Sequence, residues 1–244
     1  MKMIAKLVRT ELRLVLREPL VLAFVFAFPI VTVLVIAGSF GADDAHSFAY
    51  VDPSQWYVAS YLAVVIGAIG LVMVPAHLAG YRERGVLRRF AAAGFPRWSF
   101  AVAQLTVGVT LTLVASAVLL AVAAPIYGLP PVESPFATVA AVVLGAVTFT
   151  SLGLVLGAVV PTARAAQGIG LLVFFPSFLL GGGGPPPDAM SGAMQRIARF
   201  LPLTHVTDSI RQPWLGLGHA TWDLTVVAAV LVGSVLCWRR AVRL

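Results

Sequence analysis

Long stretches without one charged residue run through this chain, and they decide what it folds into. Pro19–Ala42, Pro53–Tyr81, Trp98–Val132, Ser134–Ala163 and Ala165–Pro187 each exceed the roughly 20 residues with which a helix crosses the hydrocarbon layer of a bilayer. A sixth run, Leu224–Trp238, holds only 15 residues between Asp223 and Arg239. It spans only if Trp222 and Asp223 sit among the headgroups or the bilayer thins locally. Charged residues make up 11% of the chain, against about a quarter in a soluble domain, which excludes a soluble fold. The expectation is an all-α integral membrane protein, a single domain over residues 1–244, with six transmembrane helices and five as the alternative.

Charge placement orients the spans. Alternating the segments between two sides gathers 14 of the 17 basic residues on one side: Lys2, Lys6, Arg9, Arg13, Arg17, Arg82, Arg84, Arg88, Arg89, Arg97, Arg164, Arg239, Arg240 and Arg243. The other side keeps Arg196, Arg199 and Arg211, with seven of the ten acids. Basic loops stay inside, so both termini are expected in the cytoplasm, as an even number of spans requires. The net charge of +7 therefore reports topology and membrane lipids as partners, with no nucleic acid. A signal peptide fits poorly, because an 18-residue basic segment precedes the first run and that run is long enough to span. The lone cysteine, Cys237, excludes an internal disulfide and a cysteine metal cluster, and reads as a small apolar residue at the end of the last span.

Residues 1–18 read as an interfacial amphipathic helix, its five cations falling within an arc of roughly 80° opposite Ile4, Leu7, Val8, Leu12 and Val15. Glu11 projects among the apolar residues. The favoured reading is a carboxylate snorkelling at the edge, with a protein-facing one as the alternative. Pro29 is expected to kink span one, and Pro75 with His77 to make the end of span two irregular. His77 reads as a packed or interfacial histidine rather than a proton carrier. The segment 82–97 carries Gly85, then Val86, Leu87, Arg88, Arg89 and Phe90 among helix formers, then the breakers Gly94 to Pro96. This spacing predicts a short cytosolic docking helix with an apolar face of Val86, Leu87 and Phe90, with a plain basic loop as the alternative. In span four, Gly153 and Gly157 form a small-xxx-small pair that permits close helix approach.

After span five come Gly181, Gly182, Gly183, Gly184, Pro185, Pro186 and Pro187, which neither continue nor restart a helix. Residues 185–216 are expected to form a re-entrant pair of short helices in the outer leaflet, broken at Pro202, with the glycines and Pro185 as a hinge or, equally, a tight turn. His205, Asp208 and Arg211 share one side of the second short helix. Such a group is more often structural than a polar gate touching substrate. No His-Glu-x-x-His, Gly-x-Ser-x-Gly or Walker motif occurs, so this chain is not expected to be an enzyme, to hold a metal or to bind ATP by a Walker loop.

Together, the basic interfacial helix, the six spans, the helix between spans two and three and the re-entrant pair resemble an ABC-2 type transporter permease. Arg17-Glu18-Pro19, Glu83-Arg84-Gly85-Val86-Leu87 and Leu201-Pro202-Leu203-Thr204-His205 with Arg211 are similar to that family's segments, most of all in permeases of the daunorubicin-resistance type. Val86 stands where the family has Thr, and Gly181 to Pro187 replace its Gly-x-x-x-Pro with aromatics. The resemblance implies a multi-pass permease of a bacterial plasma membrane, exporting an amphipathic drug-like or lipid-like substrate and giving multidrug or antibiotic resistance. It implies two copies of a separate ABC subunit that binds ATP and Mg, coupled through Glu83, Gly85, Val86, Leu87 and Phe90. It also implies a second permease, identical or homologous, facing spans one and five. The alternative is a membrane-embedded lipid-modifying enzyme or a stand-alone carrier.

Overall fold

The computed structural model describes residues 2–94, 96–129 and 131–241. Phe95, assigned above to the breaker turn, and Arg243, assigned to the basic side, lie outside them. Every regular element among the described residues is a helix, with no strand. Five helices are long and apolar enough to cross a membrane: Ala45–Glu83, Trp98–Tyr127, Pro135–Val159, Ala163–Gly183 and Thr221–Arg240. The last of these corrects the doubt about the sixth run, because the helix starts at Thr221 and Asp223, only 9% exposed, is paired inside the protein. The short member is the first apolar helix, Ala23–Ala37, which the sequence reading took as a full span. We call the continuous helix of residues 19–37 span 1, residues 53–83 span 2, Arg97–Tyr127 span 3, Pro135–Val159 span 4, Ala163–Gly183 span 5 and Thr221–Ala241 span 6.

Span 2 is the axle of the bundle. Every residue from Trp56 to Pro75 is buried, whereas span 6 turns most of its surface outward. Close approach onto the axle depends on glycine in spans 4 and 5. A Cβ on Gly153 would lie 2.1 Å from the carbonyl of Gly70, one on Gly157 2.8 Å from that of Pro75, and one on Gly170 2.1 Å from that of Leu71. The small-xxx-small pair thus packs span 4 against span 2 within the chain.

Both prolines inside the first two spans are accommodated by a π-helical turn just before them. The Phe28 N–H donates to the Ala23 carbonyl, ahead of Pro29, and the Val74 N–H to the Ile69 carbonyl, ahead of Pro75. A proline ring collides with the carbonyl four residues earlier and offers it no N–H, so widening the turn by one residue relieves the clash. The expected kinks are therefore π-bulges.

The N-terminal helix, Lys2–Val15, lies along span 3, with Leu7, Val8 and Leu12 on the core and Val15 buried. At the far end, the segment expected to be re-entrant forms two helices, Gly192–Ala198 and Pro202–Leu215. The second starts at Pro202, which is pre-organised for a first helical turn. It packs on spans 2, 4 and 6, and a strap of backbone bonds from Glu133 to Trp214 and from Ser134 to Pro213 fastens its end.

Candidate functional site

Two places gather polar chemistry, one at each end of the bundle. At the end bearing Arg82, Arg84 and Arg164, span 2 stops at Glu83 and the chain turns through Gly85, whose φ of 70° is left-handed and suits glycine. The short helix Val86–Ala92 follows. Its expected apolar face is half-buried within the chain: Val86 and Leu87 lie against the core, and the Phe90 ring stands 6.5 Å from that of Phe100. Arg88, Arg89 and the stretch from Ala91 to Gly94 are what it exposes.

The residues just before this helix grip the connection between spans 4 and 5. The Glu83 carboxylate accepts the Ala163 N–H at 3.0 Å, at the start of span 5, where an acid favours both the free N–H groups and the helix dipole. Arg82 donates to the carbonyls of Gly157 and Val160, each at 3.0 Å, at the end of span 4. Thr162 caps Ala165 from the same turn. The end of span 2 that leads into the Val86–Ala92 helix is therefore bonded directly to the ends of spans 4 and 5.

Behind this lies a buried carboxylate that sequence reasoning placed wrongly. Glu11 is 2% exposed and faces protein, against the favoured snorkelling reading. It accepts from the Tyr81 hydroxyl at 3.0 and 3.1 Å and from Gln104 Nε2 at 2.9 Å, and lies 3.1 Å from His77 Nε2. One carboxylate thus ties the N-terminal helix to spans 2 and 3. The reading of His77 as a packed histidine fits this geometry. The available signal was the spacing of His77 and Tyr81 one helical turn apart, beneath an acid on an apolar face.

At the opposite end, helical hydrogen bonding runs out at the four glycines, and side chains take over. The carbonyls of Gly181, Gly183 and Gly184 accept from Thr207, Tyr61 and Tyr57, the tyrosine bonds being 3.1 and 2.9 Å. These are the orphan acceptors of a helix C-terminus. Gly182 has φ of 124°, and a Cβ there would lie 2.5 Å from Thr207 Cγ2. Gly181 and Gly183 are buried, and Pro185 and Pro186 lead to a 3-10 turn at Pro187–Ala189. The glycine carbonyls are thus held by side chains of span 2 and of the helix Pro202–Leu215.

The trio of His205, Asp208 and Arg211 separates into two pairs. Arg211, 7% exposed, donates to Asp208 and to Ser60 Oγ, and its guanidinium lies 3.8 Å over the Trp56 ring. His205 turns the other way: Nδ1 is 2.7 Å from Asp223 on span 6 and Nε2 2.9 Å from the Arg199 carbonyl. Gln212 donates to the second oxygen of Asp223 at 3.2 Å. One pair locks the re-entrant helix to span 2 and the other to span 6. No group of three or more metal-ligating side chains is assembled among the described residues.

The model of the ABC-2 type transporter family matches residues 4–214. The chain is also similar to Nodulation protein J of Rhizobium leguminosarum bv. viciae, at 35% identity over 102 residues. That likeness covers 39% of this chain and 39% of the relative's length.

Proposed function

Since the chain belongs to the ABC-2 type transporter family, and is thereby a transmembrane component of an ABC transporter, we propose that it is the permease half of an ATP-driven exporter of an amphipathic, lipid-like or drug-like substrate. Energy comes from a separate subunit that binds ATP and Mg, present in two copies. The observation that carries this reading is the linkage at the basic end. The Val86–Ala92 helix presents Arg88 and Arg89 outward, while Glu83 and Arg82 behind it bond directly to the span 4 to span 5 turn. A subunit that closes on ATP and pulls this helix moves span 5 with it, a rigid-body switch driven by contacts that differ between two states.

A second permease, identical or homologous, completes the pathway. Spans 1 and 5 share a ladder of rings, Phe24, Phe28, Phe174 and Phe178, and beside it Val31, Val35, Leu172 and Leu179 stay exposed. An uncovered apolar face of this kind suits both a partner span and an amphipathic substrate moving between the two. With the basic end inside, both termini are cytoplasmic and the membrane is the bacterial plasma membrane.

The test uses the permease co-expressed with its ATP-binding subunit. Charge reversal at the two exposed arginines, Arg88→Glu with Arg89→Glu, is expected to abolish co-purification and permease-stimulated ATP hydrolysis while the permease keeps its thermal stability. Intact co-purification and stimulation would reject the coupling role of this helix.

A further inference from the structure

A groove of about 600 Å³ runs between the N-terminal helix and span 3, with Val8, Leu12 and Leu16 on one wall, Thr106 on the other, and Arg9 and Arg13 at the rim. Its volume lies within the range that holds one small ligand, roughly 300–1,000 Å³. We propose that it is a seat for one anionic membrane phospholipid, an acyl chain lying along the apolar wall and the phosphate held between Arg9 and Arg13.

Three observations point to that occupant. Arg9 and Arg13 are exposed and one helical turn apart, so their side chains start about 5–6 Å from each other on one face, a spacing that lets two guanidinium groups share one phosphate. Neither forms an ion pair among the described residues. Span 3, which supplies Thr106 to the groove, also exposes Val102 one helical turn away and Leu113 two turns away on the other side, a surface that acyl chains wet.

Charge argues against a second copy of this chain as the occupant. The acids near this end are Glu11, Glu18 and Glu83. Glu11 is turned away into its cluster with His77, Tyr81 and Gln104, Glu83 is engaged at Ala163, and Glu18 faces His77 at 4.0 Å. A copy would therefore bring at most the half-exposed Glu18 to Arg9 and Arg13, whereas an anionic headgroup brings its phosphate between them. The seat is separate from the transported substrate and from the face of spans 1 and 5, so it stands or falls independently of the export reading.

Native mass spectrometry of the full chain, titrated in mild detergent with dioleoyl phosphatidylglycerol and separately with dioleoyl phosphatidylcholine, reads both lipid number and oligomeric mass. The expected result is one phosphatidylglycerol retained per chain in preference to phosphatidylcholine. That preference should fall about tenfold in Arg9→Gln with Arg13→Gln and persist in Arg9→Lys with Arg13→Lys. Thr106→Trp, which fills the groove and keeps both charges, should lose the lipid as well. Undiminished phosphatidylglycerol retention in the glutamine variant overturns the seat. So does retention in Thr106→Trp, which would mean charge on an open surface, and so does a groove variant that changes dimer mass while lipid retention stays the same.

Discussion

Replacing Glu11 by alanine removes the acceptor that three side chains share. In the folded chain Tyr81, Gln104 and His77 all converge on one carboxylate that is 2% exposed. A buried donor left without its partner costs about 1–3 kcal/mol, so three orphaned groups sum to roughly 3–5 kcal/mol once water reaches the outermost of them, the range observed when one member of a buried ionic pair is deleted. In a chain of this size each 1 kcal/mol moves the melting midpoint by about 2–4 °C. A thermal-shift measurement on the purified protein should therefore show Glu11→Ala lower by at least about 6 °C. Glu18→Ala, whose side chain is 51% exposed, should change by less than about 2 °C, as isolated surface pairs contribute little. Tyr81→Phe is expected to destabilise less in the Glu11→Ala background than alone, because the two residues share one interaction. Equal melting of Glu11→Ala and Glu18→Ala would show that Glu11 faces water and that the N-terminal helix is held only by its apolar side.

Three further outcomes follow from the geometry. Gly182→Ala places a methyl group 2.5 Å from Thr207 at a φ of 124° and should cost about 1–3 kcal/mol, whereas Gly168→Ala, with open space around it, should gain up to about 1 kcal/mol within its helix; thermal shifts of the same sign would discount this close packing at Gly182. Asp223→Ala leaves His205 and Gln212 without their acceptor and should destabilise by about 2–4 kcal/mol, with protease susceptibility rising in residues 185–216; unchanged proteolysis would detach the re-entrant helix from span 6. Cysteines at Ala45 and Ser134 should react with an impermeant thiol reagent added outside sealed cells and one at Ala92 should not; labelling at Ala92 would reject the assigned orientation.

The parts of this structure that were legible from sequence are those carried by local pattern. Uncharged runs mark the long helices, Pro202 marks the start of the second re-entrant helix, and Gly153 with Gly157 marks a tight helix contact. What local pattern does not carry is the identity of a distant partner. Glu83 was assigned to coupling by family resemblance, and its contact with Ala163, 80 residues on, is invisible to any local pattern. His205 was grouped with Asp208 and Arg211 because they share a helix face, but it pairs with Asp223 on another helix. Glu11 was set at the water edge because an isolated acid on an apolar face is costly, and its three donors come from two other spans. The first and last spans were ranked by the length of their uncharged runs, but an acid that finds partners is no longer a helix boundary, and so Asp223 lies inside span 6.

The enclosure of span 2 sets two different standards of acceptable change within one apolar protein. Lipid tails are fluid and conform to any hydrocarbon shape, so the outward residues of span 6, such as Trp222, Val232 and Leu236, answer only to a requirement for greasiness. Isoleucine, leucine, valine and phenylalanine are near synonyms there. The residues of span 2 touch only other side chains and backbone, so Ala63, Ile69 and Gly70 answer to volume, where one added methylene is an error even though it makes the helix more hydrophobic. A scale that scores membrane helices by hydropathy alone would rank substitutions in the two spans alike, although one of them is written in the grammar of solvents and the other in that of crystals.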